Sequence, residues 1–107
     1  MFSDDIHTVY FDDFCTAFVE VLTVSRDVIV YKIILNKHIR FGKHLPDIEY
    51  NGAVFSCISA SHTLNTEETE CVCFSAAGKI SDKNFYIAEI NSSISRPVIN
   101  LIKKHDR

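Results

Sequence analysis

The stretch DIEYNGAVFS, residues 47–56, ties more of this chain to one geometry than any other segment does. Asn and Gly are the residue types that most readily accept positive φ, and an Asn-Gly pair between alternating apolar residues joins two antiparallel strands through a type I′ turn. Asn51 and Gly52 therefore predict a hairpin, with its second strand running from Ala53 to about Ser59. A two-residue turn also fixes which residues face each other across the pair.

Other strands follow from composition. VIVYKIILN, residues 28–36, is rich in β-branched side chains and apolar at odd and even positions, as in a strand at the centre of a sheet. Asn36 and Lys37 offer a turn into HIRF. ECVCFSA and NFYIAEI read as two further strands, joined by a loop through Gly78 and residues 81–84. In the first of these, Val72 and Phe74 are expected to point inward, with Cys71 and Cys73 on the opposite face.

Two segments carry helical spacing instead. Over residues 4–22, Phe11, Phe14, Cys15, Phe18 and Leu22 fall on one side at 100° per residue, with Asp12, Asp13, Thr16 and Glu20 on the other. Ser3, Asp4 and Asp5 suit a helix start. The far end fits two conformations, because Val19, Val21, Thr23 and Val24 are β-branched and residues 19–24 equally suit a strand. At the other end of the chain, SISRPVINLIKKHDR predicts a helix capped by Ser95, with Pro97 in its first turn and a stripe of Val98, Leu101, Ile102 and His105. The fold class these elements predict is α+β: an N-terminal helix, an antiparallel sheet of four to six strands, and a C-terminal helix packed on the sheet.

The 107 residues suit a single globular domain, 1–107, able to bury roughly two-thirds of its unfolded surface in one core. The first residues carry early aspartates and no basic run, unlike a secretory or transit leader. The longest apolar run, Val28 to Leu35, is interrupted by Lys32 and is far short of a helical bilayer span. The expectation is a soluble, cytoplasmic protein without membrane association.

Cys15, Cys57, Cys71 and Cys73 are too sparse for a disulfide scaffold and are expected to be reduced. A zinc site wants four converging N or S ligands with a tight C-x(2–4)-C pair. Cys71 and Cys73 are separated by one residue only, and His62 and Cys57 complete no recognised spacing. Neither a metal nor another cofactor is expected, and the thiols read as small apolar filler. A cysteine nucleophile would need a base such as His62 for Cys57 or His7 for Cys15, and neither pair sits in a catalytic signature. His38 and His44 flank IRFGK and read as surface groups.

Charge is distributed unevenly. Residues 1–25 hold five acids and no Lys or Arg, and residues 51–78 hold three acids and no base. Residues 26–50 carry five bases against three acids, and residues 79–107 six against three, leaving a net charge of −3. Arg26, Lys32, Lys37, Arg40 and Lys43 cluster around one hairpin, with Tyr31 and Phe41 interleaved. The acidic balance and the lack of a binding signature nevertheless argue against nucleic acid as partner.

An acidic face without compensating cations suits a basic protein partner, since complementary charge steers and orients association. The functional expectation is a small cytosolic protein-binding inhibitor, specifically a toxin-neutralising immunity or antitoxin-type protein. It would occlude a basic toxin or nuclease domain through Asp12, Asp13, Glu20, Glu67, Glu68 and Glu70. The alternatives are a cysteine- or metal-dependent enzyme using Cys57, His62, Cys71 and Cys73, and a small assembly subunit or chaperone.

Overall fold

The computed structural model describes residues 7–10, 15–39, 44–63, 65–75, 79–92 and 97–104. Among them are eight strands: β1 (His7–Tyr10), β2 (Thr16–Val24), β3 (Ile29–Leu35), β4 (Asp47–Tyr50), β5 (Ala53–His62), β6 (Thr69–Ser75), β7 (Asn84–Ser92) and β8 (Val98–Lys103). Neighbouring strands pair in the order β7-β2-β3-β6-β5-β4-β8, and β8 pairs back onto β7, so seven strands close into a barrel. β1 and β2 both run antiparallel to β7 along one of its edges, β1 against its C-terminal half and β2 against its N-terminal half, while β8 takes the other edge.

An odd number of strands cannot alternate in direction all the way round a closed ring. One parallel contact is therefore required, and β4 with β8 supplies it, Asp47 facing Val98 through Tyr50 facing Leu101. The Asn51-Gly52 turn is present, with φ of 54° and 84°, and it holds β4 against β5 in the register a two-residue loop imposes.

The α+β expectation fails at both ends of the chain. Residues 16–24 form a strand instead of the end of a helix over 4–22, and residues 7–10 form another. Burial has a period of two there: Cys15, Ala17 and Val19 are buried, whereas Phe18 and Leu22, expected on a buried helix face, are exposed. The β-branched run from Val19 to Val24 explains this, together with β3 and β7, which offer ladder bonds on both sides of the first half of β2. Phe11, Asp12, Asp13 and Phe14 lie outside the described residues, as do Ser3, Asp4 and Asp5.

The C-terminal segment is a strand for the same reason. Ile99 and Leu101 point into the barrel while Val98, Asn100 and Ile102 point out, so the helical stripe of Val98, Leu101 and Ile102 does not form. Pro97 immediately precedes this strand instead of opening a helix, a position at which its missing N–H breaks no ladder. Its carbonyl accepts the N–H of Asp47 at 2.9 Å, joining β8 to the start of β4. Ser95 and His105 lie outside the described residues.

The interior is filled by one inward-facing residue in two. Tyr31, Ile33 and Leu35 from β3, Ile48 from β4, Phe55 from β5, Phe85 and Ile87 from β7 and Ile99 from β8 are fully buried. Tyr31 meets Phe55 edge-on at 5.5 Å between ring centroids, and Tyr50 meets Phe85 at 4.9 Å. β6 contributes the small partners: Thr69, Cys71, Cys73 and Ser75 all face in. Small side chains opposite large ones are what a narrow barrel can accommodate.

Polar groups that enter this core are matched. The Tyr31 hydroxyl accepts the Ile80 N–H at 2.9 Å, anchoring the buried Ile80 of the β6–β7 connection across one end of the barrel. The Thr69 hydroxyl donates to Lys37 O at 2.7 Å and accepts the Ile39 N–H at 3.0 Å, fastening the β3–β4 connection near β6. Among the described residues no buried side-chain N or O lacks a hydrogen-bond partner. No helix among them is long and apolar enough to cross a membrane.

Candidate functional site

A barrel has one inside, so every strand with two apolar faces leaves one of them outside. β3 and β6 are such strands. The pairing registers set Phe18, Ile34 and Glu70 in one row on the outer surface of β2, β3 and β6, with Glu20, Lys32 and Val72 in the next. A third row holds Thr23, Val30 and Phe74 and continues to Ser56 of β5. Ile58, the extra residue of a bulge between Cys57 and Ser59, is 57% exposed beside this surface.

Charge on this face is concentrated in one triad. Lys32 Nζ lies 3.5 Å from Glu70 and 4.0 Å from Glu20, so two carboxylates share one ammonium. Residues 1–25 hold no Lys or Arg, yet Glu20 has a cation beside it, because a strand brings in partners from its neighbours. Glu70 also accepts a hydrogen bond from the Thr63 hydroxyl at 3.3 Å. Each of these exposed ion pairs contributes about 1 kcal/mol at most, so they orient side chains more than they stabilise the barrel.

The turn between β5 and β6 carries the other two described carboxylates of the expected set. Glu67 is exposed, and Glu68 is half-buried and accepts a hydrogen bond from the Thr66 hydroxyl at 3.1 Å. Two histidines brace this turn. His38 Nε2–H donates to Thr66 O and His62 Nε2–H donates to Ile39 O, both at 2.9 Å, and the two rings stack with centroids 4.7 Å apart. The structure thus brings Glu20 and Glu70 together around Lys32 and places Glu67 and Glu68 at the end of the same β5–β6 hairpin. Asp12 and Asp13 lie outside the described residues.

The cysteines are elsewhere. Cys71 and Cys73 face inward and Val72 and Phe74 outward, the reverse of the expected arrangement, and Cys57 lies opposite Cys73 inside the barrel. All four cysteines are buried and unbridged. The Cys71 hydrogen bond lowers the Cys57 pKa, but the hydrogen bond with Cys73, burial and the charges of Cys73 and Asp47 outweigh it and hold the thiol protonated. Cys71 is pushed up as well, by its hydrogen bond with Cys57, then by burial and the charge of Cys57. A catalytic thiolate needs the opposite environment. His62 is exposed near the far end of β5, engaged with Ile39 O, and does not join the thiols. Among the described residues no group of three or more His, Cys, Asp or Glu is arranged to hold a metal ion.

The outer apolar residues Phe18, Ile34, Val72 and Phe74 are the part of this surface that charge patterning alone does not find. The signal for them is the two-faced apolar pattern of residues 28–35 and 71–74, with no helix over the second face among the described residues. Comparison with known proteins finds no matching family model, no matching curated protein and no matching solved structure.

Proposed function

We propose that this domain is a protein-binding module that engages its partner through the outer surface of β2, β3 and β6 and the adjoining β5–β6 turn. The observation that carries the proposal is the composition of that surface: exposed Phe18, Ile58 and Phe74 surround an ion triad with one carboxylate in excess. Protein interfaces are enriched in aromatic side chains, and charge set among them orients the partner. The barrel interior, by contrast, is occupied by its own side chains.

In its most specific form the proposal is a cytosolic inhibitor that neutralises a basic toxin or nuclease domain. Support for that form is the net charge of −3 and the carboxylates Glu67, Glu68 and Glu70 in a segment without bases. Lys32 narrows it, because Glu20 and Glu70 are offered to a partner as one triad and not as two free charges. Asp12 and Asp13 belong to the proposed contact on charge alone. Burial of the four thiols without bridges is in keeping with a reducing compartment.

The test is protection of cells against toxins encoded beside the gene, with binding of the purified pair as the quantitative readout. F74S and the pair E67K/E68K are expected to weaken binding at least tenfold while circular dichroism keeps its β signature, and D12K/D13K tests the remaining acids. Binding unchanged in F74S and in E67K/E68K would remove this surface from consideration.

A further inference from the structure

Three of the four cysteines share one part of the barrel interior. Cys57 lies on β5 and Cys71 and Cys73 on β6, all buried, and the Cys57 sulfur is in hydrogen-bond contact with both of the others. The pairing of β5 with β6 decides which of them it can bond. Cys57 stands directly opposite Cys73, and the bulge that displaces Ile58 begins only after this pair. The Cys57 N–H donates to Pro46 O on the β4 side at 3.4 Å, away from β6. The two cysteines are therefore a non-hydrogen-bonded cross-strand pair, the kind in which side chains approach most closely and Cα atoms stand about 4.5 Å apart. A disulfide spans Cα separations of about 4.4–6.8 Å.

The other pairings do not meet that condition. Cys71 faces Ala60, beyond the bulge, and diagonal neighbours across a strand pair are about 7–8 Å apart. Cys71 and Cys73 are alternate residues of one strand, whose parallel Cα–Cβ bonds hold the Cβ atoms about 7 Å apart, against the roughly 4 Å of a bridge. Cys15 precedes β2, which neighbours neither β5 nor β6.

We propose that Cys57 and Cys73 are a latent disulfide pair, joined when the chain folds in the presence of a small disulfide such as glutathione disulfide. The bond forms by exchange. The Cys57 thiolate displaces one glutathione thiolate and is left joined to the other glutathione, and the Cys73 thiolate then attacks the Cys57 sulfur and releases the second. Two protein thiols are thereby oxidised by two electrons, and one glutathione disulfide is reduced to two thiols, which take up the two protons. Burial closes this route once the barrel is complete, so the bond belongs to the folding chain. It closes a loop over residues 57–73, which contains the whole β5–β6 turn with Glu67 and Glu68. On the reading that this turn meets a partner, the bond also stiffens the contact, but its chemistry does not depend on that reading.

The test is to unfold and reduce the whole chain, refold it with excess glutathione disulfide, trap free thiols by alkylation and map the bridges by peptide mass. The expected product has one bridge, Cys57 to Cys73, which C15A and C71A retain and C73A lacks. In denaturant the bridged chain is expected to have an unfolded fraction about a hundredfold lower than the reduced chain. A refolded chain without this bond, or with a bridge between any other pair, overturns the proposal. A bridged form less stable than the reduced one overturns it as well, because the native core would then not accommodate the bond.

Discussion

The two halves of β2 share a strand, a β-branched composition and a neighbour in β3, yet they have different surroundings. Ala17 and Val19 lie in the core, between β3 and β7, while Val21 and Val24, on the same strand, stand largely in water. Side-chain type does not separate Val19 from Val24. What separates them is whether a second strand covers the edge, so the stability of a residue here is a property of its place in the ring.

The contrast is most easily broken by placing a charge at each end. V19D sets an unpaired carboxylate in the core and is expected to destabilise the barrel by more than about 4 kcal/mol in chemical denaturation. V24D should remain within about 0.5 kcal/mol of the parent. Equal losses at the two positions would show that the exposed half is as deeply embedded as the other.

The interior also has an alkaline signature that the exposed half lacks. Cys57 and Cys71 are held protonated in the fold, whereas in the unfolded chain they ionise around their ordinary value of 9.0. Raised acid pKa values favour the unfolded state as protons leave it, so stability should fall as pH rises above that value. The slope approaches about 1.4 kcal/mol per pH unit for each of the two thiols. Denaturation midpoints measured on both sides of that pH check it, and C71A should flatten the curve.

Tyr31 joins the two regions, because its hydroxyl holds Ile80 beside the cleft that flanks the exposed half of β2. Y31F leaves a buried N–H without its acceptor and is expected to lose about 1–3 kcal/mol by thermal or chemical unfolding. The outer surface contributes little to stability. K32A should change stability by less than about 1 kcal/mol, since both of its carboxylate contacts are exposed. Amide exchange gives the comparison residue by residue: the Val19 N–H, bonded to Lys83 O, is expected to outlast that of Val21.

The strands that were legible were those with local cause. Asn51 and Gly52 have few conformations open to them, and the apolar alternation of residues 28–36 has no competing helical face. Residues 16–18 and 98–103 were not legible as strands, and residues 19–24 only as an alternative to a helix, because each stretch also fits a 3.6-residue spacing. The choice depended on partners distant in sequence, β7 for β2 and both β4 and β7 for β8. The expected site was legible as charge and composition only. Glu67, Glu68 and Glu70 are neighbours by sequence, whereas the meeting of Glu20, Lys32 and Glu70 required the registers of three strands.

By itself the sequence determined the β4–β5 turn, the strands around it and an acidic surplus, because each is decided by a residue's own backbone preferences or by simple charge count. Tertiary structure alone decided that the sheet closes, that the thiols rather than Val72 and Phe74 face inward, and that half of β2 is left with an open edge. Those outcomes follow from ladder bonds between distant segments. A strand's inner face is undefined until the ring around it is complete.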